Sequence, residues 1–205
     1  TKGTAVLPTP MIATVGLIQD ASKAVGSHFR KDGDIIFVLG DTFEELGGSE
    51  YMAQVAKVEK GALPHLNYEL EIKTADLIRK LIDNRLLQSC HDISAGGLGV
   101  ALAECCLSRY GSIGARIESV RPILKRSGEG SIRKDSLLFS ETGARYVVSC
   151  AVENSERIVQ MCNAAGIPIS CKGIVGGEVV AVSDCAEILL AEAENRWRKG
   201  LEKLI

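Results

Sequence analysis

The chain of 205 residues is long enough for one sizeable domain or two small ones, and its 46% apolar content supplies a core. Its charges nearly cancel, leaving a net charge of −2, which excludes the strongly basic balance of a nucleic-acid or acidic-membrane binder. No run approaches the roughly 20 apolar residues of a membrane-spanning helix, and the N-terminal stretch lacks the basic-then-apolar pattern of an export signal.

Met11 to Ile18 (MIATVGLI) follows the Pro8-Thr9-Pro10 punctuation and is rich in β-branched and apolar residues, which predicts a buried strand. The chain starts at Thr1 with such a strand close behind, so a piece cut from a longer protein is expected. Ile35 to Leu39 (IIFVL), closed by Gly40-Asp41, predicts a second buried strand, and the main domain is set to begin near Lys31. Leu46-Gly47-Gly48-Ser49-Glu50-Tyr51 reads as a glycine turn opening a helix-like run. Leu77, Ile78, Leu81, Ile82 and Leu86 recur at helical spacing, with Thr74 as the expected N-cap and Asp76 in the first turn.

The stretch QSCHDI predicts a strand leading into a helix that carries Leu98, Ala101, Leu102 and Cys105. A strand from Gly111 to Ser119 and a polar loop, KRSGEGSIRKD, come next. Tyr146 to Val152 predicts a strand, and Ser155 opens a helix that Gly166 and Pro168 stop. Short strands around Ile169 to Val175 and Glu178 to Val182, joined through Gly176-Gly177, predict an antiparallel hairpin. The closing stretch AEILLAEAENRWRKGLEKLI predicts a helix with Trp197 and Leu201 on one face. Interleaved strands and helices with such a hairpin give a mixed α+β or α/β fold, a mixed sheet with helices packed on it.

Three glycine-bearing turns are candidate sites. In HDISAGGL, a helix N-terminus follows Gly96-Gly97, where unpaired N–H groups and the positive end of the helix dipole favour an anion approaching closely. Ser94, Gly96 and Gly97 suit that role, while Asp92 opposes a bare phosphate unless it orients His91 or accepts from a ligand hydroxyl or amine. The same residues also suit a plain strand-to-helix turn with Ser94 as the cap. The Leu46–Tyr51 turn repeats this grammar, and Phe139 to Arg145 (FSETGAR) sets Glu141 and Thr142 just before a strand. Lys125, Arg126, Arg133 and Lys134 add positive charge in the polar loop.

Other chemistries lack their residues. There is no G-x-x-x-x-G-K-[ST], and Gly97-Leu98-Gly99 has no third glycine of a dinucleotide fingerprint. His28, His65 and His91 stand without metal-type partners at fixed spacing, so no metal site is expected. The seven cysteines are odd in number, form no C-x-x-C pair and sit mostly among apolar neighbours, the pattern of reduced core thiols in a cytoplasmic protein.

Four ordered motifs, P-T-P-x-x-x-x-V-G-L-I-x-D (Pro8 to Asp20), L-G-G-S-E-Y (Leu46 to Tyr51), H-D-I-S-A-G-G-L (His91 to Leu98) and L-F-S-E (Leu138 to Glu141), together resemble the C-terminal portion of the phosphoribosylformylglycinamidine synthase family. That family lies within the aminoimidazole ribonucleotide synthetase superfamily. The resemblance covers essentially the whole chain. It implies that residues 1–30 end an N-terminal-type domain, and that residues 31–205 form a C-terminal-type α/β domain.

It further implies a ligase that condenses formylglycinamide ribonucleotide with glutamine-derived ammonia in de novo purine biosynthesis, using ATP and Mg2+. The family's catalytic histidines, magnesium carboxylates and Gly-Asn-Val-Ser segment fall upstream of Thr1, so no catalytic or metal residue is expected here and the chain alone is expected to be inactive. The phosphate- or ligand-contacting residues it points to are His91, Asp92, Ser94, Gly96, Gly97 and Glu141. Thr142-Gly143 departs from the Ser-Gln of the family's substrate turn, which shifts the expected role of Glu141 toward a second, structural nucleotide site or the domain interface.

Implied partners are the upstream domains, a glutaminase subunit with a small accessory subunit or a fused glutaminase domain, and a second copy of this chain through the exposed strand; no nucleic acid or membrane is expected. The alternative is a non-catalytic phosphate- or nucleotide-binding or assembly module of the same superfamily.

Overall fold

The structure, a computed structural model, describes residues 10–58, 60–109, 111–125 and 133–200. Its frame is a mixed seven-stranded sheet: β1 (Ile35–Leu39), β2 (Ser89–Asp92), β3 (Ala115–Val120), β4 (Tyr146–Cys150), β5 (Ile169–Val175), β6 (Val179–Val182) and β7 (Ala186–Leu189), in the order β2-β4-β1-β5-β3-β6-β7. Every neighbouring pair is antiparallel except β3 with β6.

Strand β1 is apolar at every position because both faces of the sheet are covered. Ile36 and Val38 point into one core, with Val147 and Ile117, beneath Leu98, Ala101, Leu102 and Cys105 of helix α2 (Gly97–Cys106) and Leu137 of α3 (Asp135–Phe139). Phe37 and Leu39 point the other way, with Val148 and Cys150, beneath Leu77, Ile78 and Leu81 of α1 (Tyr68–Asp83) and Ile158 and Cys162 of α4 (Ser155–Ala165). Helix α5 (Leu190–Arg198) lies beside β6 and β7 and leaves an apolar groove of about 600 Å³ against α2, bordered by Phe139 and Trp197.

Several elements depart from the sequence reading, each for a tertiary reason. Met11–Ile18 forms no strand: it makes no backbone hydrogen bond among the described residues, and Met11, Ile12, Val15 and Leu17 are between 84% and 97% exposed. A strand exists only by pairing with a neighbour, and none of the described strands pairs with this segment.

Helix α1 begins earlier than expected. Asn67 is its cap, accepting from the Leu70 N–H (3.0 Å), while Thr74 is buried inside the helix and donates its hydroxyl to the Leu70 carbonyl at 2.8 Å. The expected hairpin through Gly176-Gly177 is also replaced. β3 slots between β5 and β6, and the glycine connection passes around its start, where the Gly114 N–H donates to the Gly177 carbonyl (3.2 Å) and the Gly176 N–H to the Gly114 carbonyl (2.7 Å). A side chain at Gly114 would lie 2.4 Å from the Gly177 oxygen, which keeps that position glycine.

The terminal stretch divides into β7 and α5, because Ala186–Leu189 pairs with β6 before the chain turns helical. Leu201 lies outside the described residues, as do residues 126–132 of the polar loop; Asp135 at that loop's end opens α3.

Candidate functional site

The three glycine-bearing turns converge. Segment 42–45 runs alongside 140–142: the Glu45 N–H donates to Ser140 Oγ (3.2 Å), the Glu141 N–H to the Glu45 carbonyl (3.3 Å), and the Phe43 N–H to Thr142 Oγ1 (3.3 Å). Thr142 is thus a buried structural hydroxyl.

At the junction sits the Glu141 carboxylate. Its Oε1 accepts from the Gly96 N–H at 2.8 Å and from the Glu50 N–H at 3.0 Å, joining the HDISAGGL turn to the LGGSEY turn. The anion beside the α2 N-terminus is therefore the protein's own. Gly96, not Ser94, caps the helix, in the left-handed region at φ 82°. Ser94 contributes its carbonyl, which accepts from the Gly97 N–H at 3.0 Å.

Gly97 has a packing duty. Its φ is 68°, and a Cβ there would lie 2.6 Å from the Leu138 oxygen and 2.7 Å from the Ser140 oxygen. The missing side chain lets α2 press on the strand of chain that delivers Glu141.

His91 and Asp92 stand apart from this junction. The His91 ring turns along α2, with Nε2 3.3 Å from Glu104 Oε2 and Nδ1 2.6 Å from its neighbour's carbonyl, and the Asp92 side chain is exposed. The structure thus gathers Gly96, Gly97 and Glu141, with Ser94 at the turn's start, and places His91 and Asp92 on the adjoining flank.

Arg145, Tyr51 and Arg133, to which the sequence reading gave no part in joining these turns, also contribute. Arg145 is fully buried and fans its guanidinium over three acceptors, Nε to the Thr142 carbonyl (2.9 Å), Nη1 to Thr42 Oγ1 (3.1 Å), and Nη2 to the Ser140 carbonyl. Burial pulls its pKa down to about 10 from the ordinary arginine value. It underpins the loop from below. Tyr51 stacks on Phe139, centroids 4.4 Å apart and planes 6° from parallel, and donates its hydroxyl to Asp135 at 2.8 Å. Arg133 in turn pairs with Asp135, holding that carboxyl below its usual range, while the carboxylate pushes the Tyr51 phenol up. In sequence Tyr51 closed the LGGSEY stretch, Arg145 closed FSETGAR and Arg133 stood in the basic loop, with nothing local to link them.

Beside the junction lies a cavity of about 480 Å³ walled by Leu46, Gly47 and Met52 on one side and Lys60, Lys125 and Arg133 among the others. The expected helix after LGGSEY is a single wide turn, Met52–Ala56, ending at Lys57 in the left-handed region. Chemically, the arrangement holds chain segments together more completely than it presents free donors. The N–H groups at Gly96 and Glu50 already have Glu141, and no group of three or more His, Cys, Asp or Glu side chains suited to a metal occurs among the described residues. These residues by themselves do not fit a nucleotide phosphate with Mg2+. Buried thiols are inert: Cys106 and Cys150 are pushed up to about 12 by desolvation, Cys162 and Cys171 to about 11, and the partly buried Cys90 to about 12.

Comparison with known proteins gives a family match: residues 31–188 fit the model described as AIR synthase related protein, C-terminal domain. The phosphoribosylformylglycinamidine synthase subunit PurL of Alkaliphilus metalliredigens is 36% identical over 209 aligned residues, covering 100% of this chain and 27% of the relative. The PurL subunit of Thermoanaerobacter pseudethanolicus is 35% identical over 95% of this chain and 26% of its own length. The chain therefore spans about a quarter of these curated relatives. Among solved structures, Thermotoga maritima PurL complexed with FGAR superposes with a TM-score of 0.70 at 18% identity, covering 85% of this chain and 30% of that one. The hydrogenase maturation protein HypE of E. coli gives 0.54 at 18% identity, over 80% and 51%. These structural likenesses establish the fold.

Proposed function

The chain belongs to the AIR synthase related proteins, whose C-terminal domain it carries over residues 31–188, and we propose that it is the C-terminal part of a phosphoribosylformylglycinamidine synthase of the PurL type. The observation that carries this reading is identity of 36% running the full length of the chain while covering 27% of the relative. The proposed reaction of the complete protein joins ammonia from glutamine to formylglycinamide ribonucleotide, with ATP activating the amide oxygen for displacement and Mg2+ assisting. T. maritima PurL has been solved with FGAR and with ATP, which supports both ligands for the family.

In this reading residues 1–30 complete a preceding domain and residues 31–205 form the C-terminal-type domain. The catalytic groups lie elsewhere in the protein, and this chain alone is inactive. The flank bearing His91, Asp92 and Ser94, with Gly96, Gly97 and Glu141 behind it, forms one wall of a ligand-bearing joint with the rest of the synthetase. Met11–Ile18, apolar and unpaired among the described residues, is placed to pair with that missing body, or with a second copy in its absence. A structure of PurLQS from T. maritima has been solved, and glutaminase and small accessory subunits are the proposed partners of the cytoplasmic whole.

The test supplies the upstream polypeptide as a separate piece. The mixture is expected to form the amidine in an ATP- and ammonia-dependent reaction that neither piece performs alone. Two folded pieces that associate but stay inactive would overturn the reading.

A further inference from the structure

The Glu141 carboxylate stands where an external anion is expected, and the structure assigns it a role of its own: Glu141 is a positioning residue, an internal anion that fixes the LGGSEY segment against the start of α2. Two backbone donors from segments 45 and 91 residues away in sequence meet one carboxylate oxygen, at 2.8 and 3.0 Å. Neither donor belongs to Glu141's own secondary structure. Gly96 precedes a helix of ten residues, whose positive end adds to the attraction, while Glu50 lies in the turn that leads to Met52–Ala56.

What this anion controls follows from where the tethered segment goes. Leu46, Gly47 and Met52, on either side of Glu50, form one wall of the 480 Å³ cavity. The Ser49 hydroxyl, donating to the Leu46 carbonyl at 2.6 Å and accepting from the Met52 N–H at 3.2 Å, makes that wall a rigid unit. Its other ties to the body include the Glu45 pairing with Ser140 and Glu141, and the Tyr51 contact with Phe139 and Asp135. Among them, the Glu141 carboxylate takes one backbone N–H from each of two distant segments on a single oxygen. Replacing a charge-assisted bond exposes both donors at once, since a single oxygen serves the two. The role is independent of the proposed ligase function.

The test is amide exchange in the isotopically labelled 205-residue chain. In Glu141→Ala, exchange at Gly96 and at Glu50 should rise together by about tenfold or more, the loss expected for hydrogen bonds to a charged group. Sodium formate at about 0.1 M should restore most of the protection where sodium chloride of equal ionic strength does not, because only formate brings a carboxylate. Glu141→Gln keeps the acceptor without the charge, so its two amides should exchange faster than wild type and slower than in Glu141→Ala. Unchanged exchange at either amide in Glu141→Ala, or equal action of formate and chloride, overturns the assignment. Should Glu141→Ala not fold, Glu141→Gln decides: wild-type protection at both amides means that no anion is needed.

Discussion

Replacing Gly97 by alanine separates the two reasons for a glycine at the start of α2. The first is conformational. At φ 68° a residue with a Cβ costs about 1–2 kcal/mol. The second is steric, since the new Cβ would stand 2.6 and 2.7 Å from the Leu138 and Ser140 oxygens, backbone atoms that cannot rotate away. Overpacking of this kind adds about 1–3 kcal/mol, for a total of about 2–5 kcal/mol. At about 2–4 °C per kcal/mol for a chain of this size, the Tm should fall by about 4–20 °C.

Gly166→Ala is the internal control: it has φ 66° and nothing within 4 Å of the added carbon, so it carries the conformational cost alone, about 2–8 °C. Thermal unfolding followed by circular dichroism compares the two. A Gly97→Ala Tm no lower than that of Gly166→Ala would refute the close-packing argument and return the glycine pair to a role in ligand approach.

Arg145→Lys should cost about 2–4 kcal/mol despite keeping the charge, because an ammonium cannot reach the Thr142, Thr42 and Ser140 acceptors in one plane; a urea midpoint equal to wild type would contradict this. The buried thiols predict alkaline loss of stability. Their folded pKa values are raised above the ordinary 9.0, so the stabilisation is complete below pH 9 and is lost as pH climbs through the folded values, by about 1 kcal/mol per buried thiol at pH 10. Urea midpoints at pH 8 and pH 10 check it, and equal values would count against the burial. In labelling under native conditions Cys185, the exposed cysteine, should react first and the buried ones only on unfolding. Asp34, whose carboxyl burial pushes up, should be better as asparagine at neutral pH, with the gain shrinking in acid; denaturant melts of Asp34→Asn at two pH values decide.

Much of the architecture was legible before any coordinates. IIFVL is apolar throughout and YVVSC nearly so because each is covered on both faces, and α1, α2 and α4 announce themselves through their helical stripes. The family resemblance was legible too, in four ordered motifs that no composition or spacing argument supplies one at a time.

Other features depend on partners far away in sequence. Whether Met11–Ile18 is a strand depends on a neighbouring edge, and its own eight residues cannot say whether one is present. The hairpin expected at Gly176-Gly177 yielded to β3, inserted from 60 residues upstream, because strand order answers to the pairing of whole strands and not to the shortness of a connection. At the site, residue types placed an anion beside Gly96 and Gly97, and the fold determined whose anion it is. Local sequence sets which backbone donors a turn leaves free. Only tertiary packing, with Gly97 admitting the Leu138–Ser140 backbone and Arg145 holding the loop beneath it, brings Glu141 to within 3 Å of them.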